Sequence, residues 1–460
     1  MSVILHLGLG SFHRAHQAVY LQRLHDLGEG AWSIVGGNIR PGMDATIEAL
    51  IDQECAYTVE TISPKGDHVY EEIRSIRAVI PYAKDLATLI DIGATPSTLI
   101  ISFTVTEAGY YLDAENRLDD RHEDLRSDLE GRTQLTIYGA MSAILSERMA
   151  RNGPPVTLLN CDNLRGNGAR FRAGLLDFLA RKKQSELLLW VRENATCPNA
   201  MVDRITPRPS ADVAARVLKA CGRVDGAAVM AETYIQWVIE DEFCSARPPW
   251  EKVGAEIVKS VAPYEEAKIR ILNASHSCIA WAGTLIGLNF IHQGVEVPAI
   301  RQMAYAYVTD DVIPCLSSPL HKSPVNLAVY RDVILDRFSN PYLNDTNQRV
   351  AMDGFSKVPG FIAPTIAERL GQGESIEKTA VLPALFFRFL ERWHRGALPY
   401  RYEDQAMDEN AVHSFFRSSD PVAAFCQNPA LWRSLAGNPK LKSAIDRALP
   451  AVRTLEASHG

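Results

Sequence analysis

Between Tyr264 and His276 the chain reads Tyr-Glu-Glu-Ala-Lys-Ile-Arg-Ile-Leu-Asn-Ala-Ser-His, and three of those side chains suit proton chemistry. On a regular α-helix, at about 100° per residue, Lys268, His276 and Asn273 fall at about 0°, 80° and 140°, on one face. That face joins an amine, an imidazole and an amide. The sequence after Ser277 is strongly apolar, which implies partial burial. A desolvated lysine holds its proton less tightly and becomes a general base near neutral pH. Lys268 and His276 would lie about 12 Å apart along the axis, too far to grip one atom. An extended chain of five or six carbons could place its reacting hydroxyl at Lys268 and a neighbouring hydroxyl near His276. An ordinary surface lysine beside a core histidine satisfied by backbone fits the same letters.

A second group with chemical meaning stands near the start of the chain. Gly8-Leu9-Gly10 follows the apolar run Ser2 to Leu7 and precedes a helical pattern from about His13 to Leu27. Two residues without Cβ at a strand-to-helix turn let backbone approach a pyrophosphate, whose charge a helix N-terminus favours, so a dinucleotide is the natural ligand. His13 stands where the general pattern has a third glycine, and a tight turn without any ligand is the plain alternative. A carboxylate for the adenosine ribose is due about 20 residues on. The chain offers Asn38-Ile39-Arg40 there. Asn38 suits a ribose hydroxyl, while Arg40 suits a 2′-phosphate or plain solvent, so NAD and NADP both stay open. His13 and His16 are too few ligands for zinc, and no metal is expected.

These groups need a scaffold. The first half alternates short β-rich runs with helical patterns, as a parallel sheet with crossover helices does. Trp32 to Val35 ends in Gly36-Gly37, while Leu99 to Val105 and Val156 to Asn160 read as strands buried on both faces. Tyr57 to Ile62 and Val69 to Ile73 flank Pro64-Lys65-Gly66-Asp67, a turn signal that predicts an inserted β-hairpin. From about Ala262 strands become hard to find, and Glu265 to Leu288, Val297 to Tyr307, Ile376 to His394 and Pro421 to Phe425 favour helix. The expected fold is α/β: a doubly wound Rossmann-type sheet with insertions over residues 1–262, then a mostly α-helical domain over 263–460.

The 460 residues are 47% hydrophobic, enough apolar mass for proper cores. A net charge of −7 argues against nucleic acid or anionic lipid as partners. The longest near-apolar stretch, Cys278 to Phe290, has 13 residues, short of the roughly 20 that span a bilayer. Eight scattered cysteines, the closest pair being Cys221 and Cys244, form no disulfide ladder and fit a reducing, cytoplasmic setting.

Five ordered blocks resemble the polyol-specific long-chain dehydrogenases. They are Gly8 to His16, Asn160 to Asn163, Pro198 to Pro207, Lys268 to His276, and a last one with Asn340-Pro341, Arg349, Asp353-Gly354 and Lys357-Val358-Pro359. In that family the glycine turn is followed by Phe-His-Arg-Ala-His, which accounts for His13. The resemblance implies a metal-free NAD enzyme in which Lys268 is the catalytic lysine and Asn163 and Asn273 are paired asparagines. It also implies that His276, Asp203, Arg349 and Lys357 hold substrate hydroxyls or support those that do. Gly8, Gly10, Ser11, Phe12, Asn38 and Arg40 would then line the nucleotide, with Thr104, Val105 and Thr106 beside the nicotinamide. The wording of Ile101 to Glu107 and of Tyr264 to Leu285 is most similar to members acting on D-arabinitol, which implies oxidation to D-xylulose. D-mannitol, a hexuronate, or a non-catalytic nucleotide-sensing role are the alternatives. A small-molecule polyol partner and a monomer or loose homo-oligomer are implied.

Overall fold

A computed structural model describes residues 1–113, 117–207, 210–318 and 323–459. The chain forms two compact units, Met1–Ser63 with Asp67–Ala262, and Pro64–Gly66 with Pro263–Gly460.

In the first unit, six parallel strands make the main sheet: β1 (Ser2–Leu7), β2 (Trp32–Gly37), β5 (Ile76–Ile80), β6 (Thr98–Phe103), β7 (Val156–Asn160) and the two-residue β8 (Ala195–Thr196), in the order β5-β2-β1-β6-β7-β8. Between β2 and β5 come β3 (Tyr57–Ile62) and β4 (His68–Ile73). The apolar and β-branched letters of β1, β6 and β7 are buried because helices cover both faces of such a sheet. β1 pairs with β2 on one side and β6 on the other, so the winding reverses at β1. Ligands of doubly wound sheets bind beyond the carboxyl ends of the strands at that reversal.

Several boundaries differ from the sequence reading. β2 runs through Gly36 and Gly37 instead of ending before them. A Cβ on Gly36 would stand 2.5 Å from the Leu9 side chain, so glycine in the strand makes room for the turn. The helical pattern after Gly10 is two helices, α1 (Ser11–Ala15) and α2 (Gln17–Asp26), broken at His16 with φ −127° and ψ −88°. β6 stops at Phe103, which leaves Thr104 to Thr106 past its carboxyl end. The hairpin β3–β4 is antiparallel, Tyr57 facing Ile73, and β10 (Val229–Glu232) joins β3 in a separate sheet. A third small sheet holds β9 (Ala200–Asp203), β11 (Gln236–Glu240) and β12 (Glu256–Val258). These short strands lacked a long β-branched run and gave no sequence signal.

The second unit is helical. Its core is continuous from Ala267 to Leu455, and the helix Ala274–Leu285 is buried almost all round, as its unbroken apolar sequence requires. One expectation is corrected here. Glu265 to Leu288 is not one regular α-helix: Ala262–Ala267 passes into a π-helical segment, Lys268–Asn273, before Ala274–Leu285. Two more π segments, Tyr307–Val312 and Val358–Ile362, touch the first. Such widened turns depend on tertiary packing and have no letter code. Among the described residues no helix is long and apolar enough to cross a membrane, and the eight cysteines are free thiols.

Candidate functional site

The glycine turn caps the carboxyl end of β1. Gly8 has φ +107°, and a Cβ there would stand 2.7 Å from the Thr104 carbonyl oxygen, so both the backbone and its neighbour demand glycine. Its N–H donates to Gly37 O at 2.8 Å, and Thr104 N–H donates to Leu7 O at 3.1 Å. Gly10 answers to a different need. Among the described residues, nothing lies within 4 Å of where its Cβ would be. The open space suits a pyrophosphate, and Ser11 and Phe12 begin α1 beside it. The N–H groups of Gly8, Leu9 and Gly10 are taken by Gly37 O, Asn38 Oδ1 and Gly8 O, so the first N–H groups of α1, which have no partner within the helix, are what an anion would meet there.

Beneath the turn lies a polar network that the sequence reading did not resolve. His6 Nδ1 lies 2.8 Å from Ser102 Oγ and its Nε2 lies 3.1 Å from the Gly8 carbonyl. His13, in the place of the third glycine, stacks on His6 with centroids 3.4 Å apart. Burial pulls His6 down to about 3 and His13 well below its ordinary value, so both rings are neutral. A third glycine would leave His6 without this cover. The signal available in sequence was a histidine inside an otherwise apolar strand.

Asn38 and Arg40 follow β2. Asn38 is buried, and its Oδ1 accepts the Leu9 N–H at 2.9 Å. It therefore holds the glycine turn. Arg40 is not a plain solvated residue: its guanidinium donates to Leu135 O at 2.9 Å, to Tyr111 Oη at 2.5 Å and to Asp124 at 2.5 Å. Past β6, Thr104 Oγ1 donates to Cys161 O at 3.3 Å. Val105 is half-buried and Thr106 is exposed.

Asn163 is exposed just beyond β7, after a buried trio. Asn160 Nδ2 donates to Tyr110 Oη at 2.5 Å, and that hydroxyl donates to Asp162 at 2.5 Å. Burial raises the Asp162 carboxyl to about 6 in spite of these bonds. Tyr110 and Asp162 thus form a buried pair, to which the sequence reading gave no role, although Asp162 adjoins Asn163 in the chain. Asp203 is buried at the end of β9, opposite Gln236 in β11. The neighbouring Arg204 donates to Glu232 O at 3.1 and 3.0 Å.

In the second unit, Lys268 is 8% exposed and heads the first π segment, which Asn273 closes. With i→i+5 hydrogen bonding, residues five apart come closer to alignment than the 140° of a regular helix. Lys268 and Asn273 are five apart, so the widened turn brings the amine and the amide toward one line. Arg270 inside the segment is clamped by Glu266 at 2.7 Å and by both oxygens of Glu368 at 2.7 and 2.8 Å. Tyr307, fully buried, donates its hydroxyl to Arg270 O at 2.9 Å.

One turn further on, His276 Nε2 lies 3.0 Å from Asp345 and its ring stacks on Phe338 at 4.5 Å. Arg349 donates to the other oxygen of Asp345 at 2.9 and 2.6 Å. Burial lowers the His276 imidazole, outweighing Asp345, so it is neutral and donates Nε2–H. Asp345 is nonetheless held down to about 2, burial opposing and His276 and Arg349 prevailing. Lys357 Nζ donates to Val350 O at 2.7 Å, and its charge reaches His276. The structure thus joins His276 and Arg349 on Asp345, with Lys357 in electrostatic reach of His276; Asp345 is a residue the sequence reading missed although it stands four before Arg349. Among the described residues, no three His, Cys, Asp or Glu side chains converge as metal ligands.

Comparison with known proteins follows the same division. Residues 2–252 match the mannitol dehydrogenase Rossmann domain and residues 260–453 the mannitol dehydrogenase C-terminal domain. The chain is 58% identical over 459 residues to D-arabinitol 4-dehydrogenase of Ralstonia nicotianae, spanning 99% of this chain and 97% of that protein. It is 52% identical over 451 residues to D-arabinitol 4-dehydrogenase of Klebsiella pneumoniae, spanning 98% of each. A solved structure of Pseudomonas fluorescens mannitol 2-dehydrogenase, a ternary complex with NAD and D-mannitol, is similar with a TM-score of 0.85 and 32% identity, over 99% of this chain and 94% of that one.

Proposed function

The chain belongs to the mannitol dehydrogenase family, and from that membership we propose that it oxidises D-arabinitol to D-xylulose, reversibly, with NAD. The observation that carries the reading is Lys268, a buried amine at the head of a π turn that ends in Asn273. Identity of 58% and 52% to two D-arabinitol 4-dehydrogenases supports the substrate.

Bound NAD supplies the acceptor for the hydride that leaves the carbinol carbon. The residues of the chain handle the rest. Burial favours the uncharged form of an amine, and Lys268 takes the hydroxyl proton as the C–O bond becomes C=O. Asn163 and Asn273 donate N–H bonds to that oxygen while its negative charge grows. In the reverse direction Lys268 returns the proton. Neutral His276, oriented by Asp345, together with Lys357 and Asp203, holds the remaining hydroxyls. Gly8, Gly10, Ser11 and Phe12 would hold the pyrophosphate, and Thr104, Val105 and Thr106 would serve the nicotinamide end. Arg349 pairs its Nε–H and one Nη2–H with Asp345, an ion pair that offsets its charge and favours a neutral polyol over a sugar acid.

The test is a substrate panel. Purified protein is given D-arabinitol, D-mannitol and a hexonate, each with NAD and NADP, and the reduced cofactor is followed by absorbance. The highest kcat/KM is expected for D-arabinitol with NAD. A higher value for D-mannitol or the acid would replace the substrate, and no turnover of any polyol would remove the enzymatic reading.

A further inference from the structure

The end of β2 poses a problem of charge. In doubly wound sheets an acid at this point holds the ribose 2′-hydroxyl of NAD, and an arginine nearby accommodates the 2′-phosphate of NADP. Here the three residues after Gly37 are Asn38, Ile39 and Arg40, which by themselves would favour the phosphate. The structure changes the balance. Arg40 forms an ion pair with Asp124 at 2.5 Å, both side chains being partly exposed, at 46% and 37%. Two further acceptors complete its setting, Tyr111 Oη and Leu135 O.

The setting is held from behind. Asp124 lies in the first turn of the helix Glu123–Leu129. Buried Asp128 of that helix accepts from Thr133 Oγ1 at 2.6 Å, Leu135 N at 2.9 Å, and Thr136 N and Oγ1 at 2.7 Å each. The same helix therefore supplies the carboxylate to Arg40 and fixes the loop whose Leu135 carbonyl receives it. An isolated exposed ion pair stabilises a fold little. Its importance here is where it puts a negative charge.

We propose that Asp124 is the specificity-determining residue for the nucleotide: paired with Arg40, it stands where the missing acid of β2 would be, accepting a ribose 2′-hydroxyl and repelling a 2′-phosphate. The inference rests on the dinucleotide-binding reading above and adds the residue that selects NAD. A 2′-phosphate brings further negative charge beside the Asp124 carboxylate and competes with it for the same guanidinium. Removing the carboxylate leaves Arg40 free to pair with the phosphate, which its fork of donors suits.

Titration with NADH and with NADPH, read by nicotinamide fluorescence, tests this without turnover. Wild type is expected to prefer NADH. Asp124→Asn and Asp124→Ala are each expected to tighten NADPH by about tenfold or more relative to NADH. Arg40→Ala added to Asp124→Asn is expected to abolish that gain. Adenosine 2′-phosphate should compete against the single variants and poorly against wild type. Wild type that binds NADPH as tightly as NADH, or aspartate variants with an unmoved preference, overturns the inference and leaves the dinucleotide reading standing. Protein that binds neither nucleotide overturns both.

Discussion

An amine must be unprotonated before it can accept a proton, so polyol oxidation by Lys268 should rise with pH as one group deprotonates, and ketose reduction should fall. Lys268→Ala is expected to lower kcat by about 100-fold or more, the scale of general base catalysis, while NADH titration stays unchanged. Loss of nucleotide binding in that variant would point to a folding defect instead. Asp345 gives a second expectation with a definite sign. Its folded value of about 2 lies below the ordinary carboxyl value of 3.8, so its stabilisation is fully present above about pH 4 and is lost as pH falls toward 2. Asp345→Asn should cost about 2 kcal/mol at neutral pH, a difference that shrinks on acidification. It should also raise the KM for polyol, because His276 and Arg349 both lean on that carboxylate. Equal acid unfolding curves for the two proteins would rule this out.

At the scale of elements, the two glycines of the nucleotide turn should separate folding from binding. Gly8→Ala meets Thr104 O at 2.7 Å with φ +107° and should destabilise by about 1–3 kcal/mol. Gly10→Ala enters open space, so its melting temperature should match wild type while nucleotide affinity falls. A Gly10→Ala protein with unchanged affinity would place the pyrophosphate elsewhere. The π segment offers a parallel case. Tyr307→Phe removes the hydroxyl that meets Arg270 O, at a stability cost of about 1 kcal/mol. If the widened turn sets Lys268 against Asn273, kcat for polyol should drop with little change in the KM for NAD. Arg270, Glu368 and Tyr307 carried no sequence signal for this role, since a π turn arises from what packs around the helix and not from a motif within it.

At the scale of the whole molecule, each apolar cluster among the described residues draws on one unit: one runs from Ala267 to Leu455, and the others use residues between Ile4 and Ile257. Each unit therefore has its own core. Saturating NAD at about 100 times its Kd should stabilise the unit of residues 1–262 by about 2.7 kcal/mol, visible as a shift in melting temperature. NADP at the same concentration should shift it less if Asp124 acts as inferred. A larger shift with NADP would contradict the proposed cofactor.

The sequence by itself determined the alternation of β-rich and helical patterns, the glycine turn, the change of texture at Ala262 and the identity of Lys268, Asn273 and His276. Those features follow from local sterics and hydrophobic periodicity, which neighbouring letters carry. Only the tertiary structure decided that Lys268 and Asn273 share a π turn, that Asn38 turns back to Leu9, and that Arg40 meets Asp124 and His276 meets Asp345. The last two pairs join residues 84 and 69 positions apart. Such partners are chosen by how elements pack and by the cost of leaving a buried polar group unmet, and no local pattern encodes that choice.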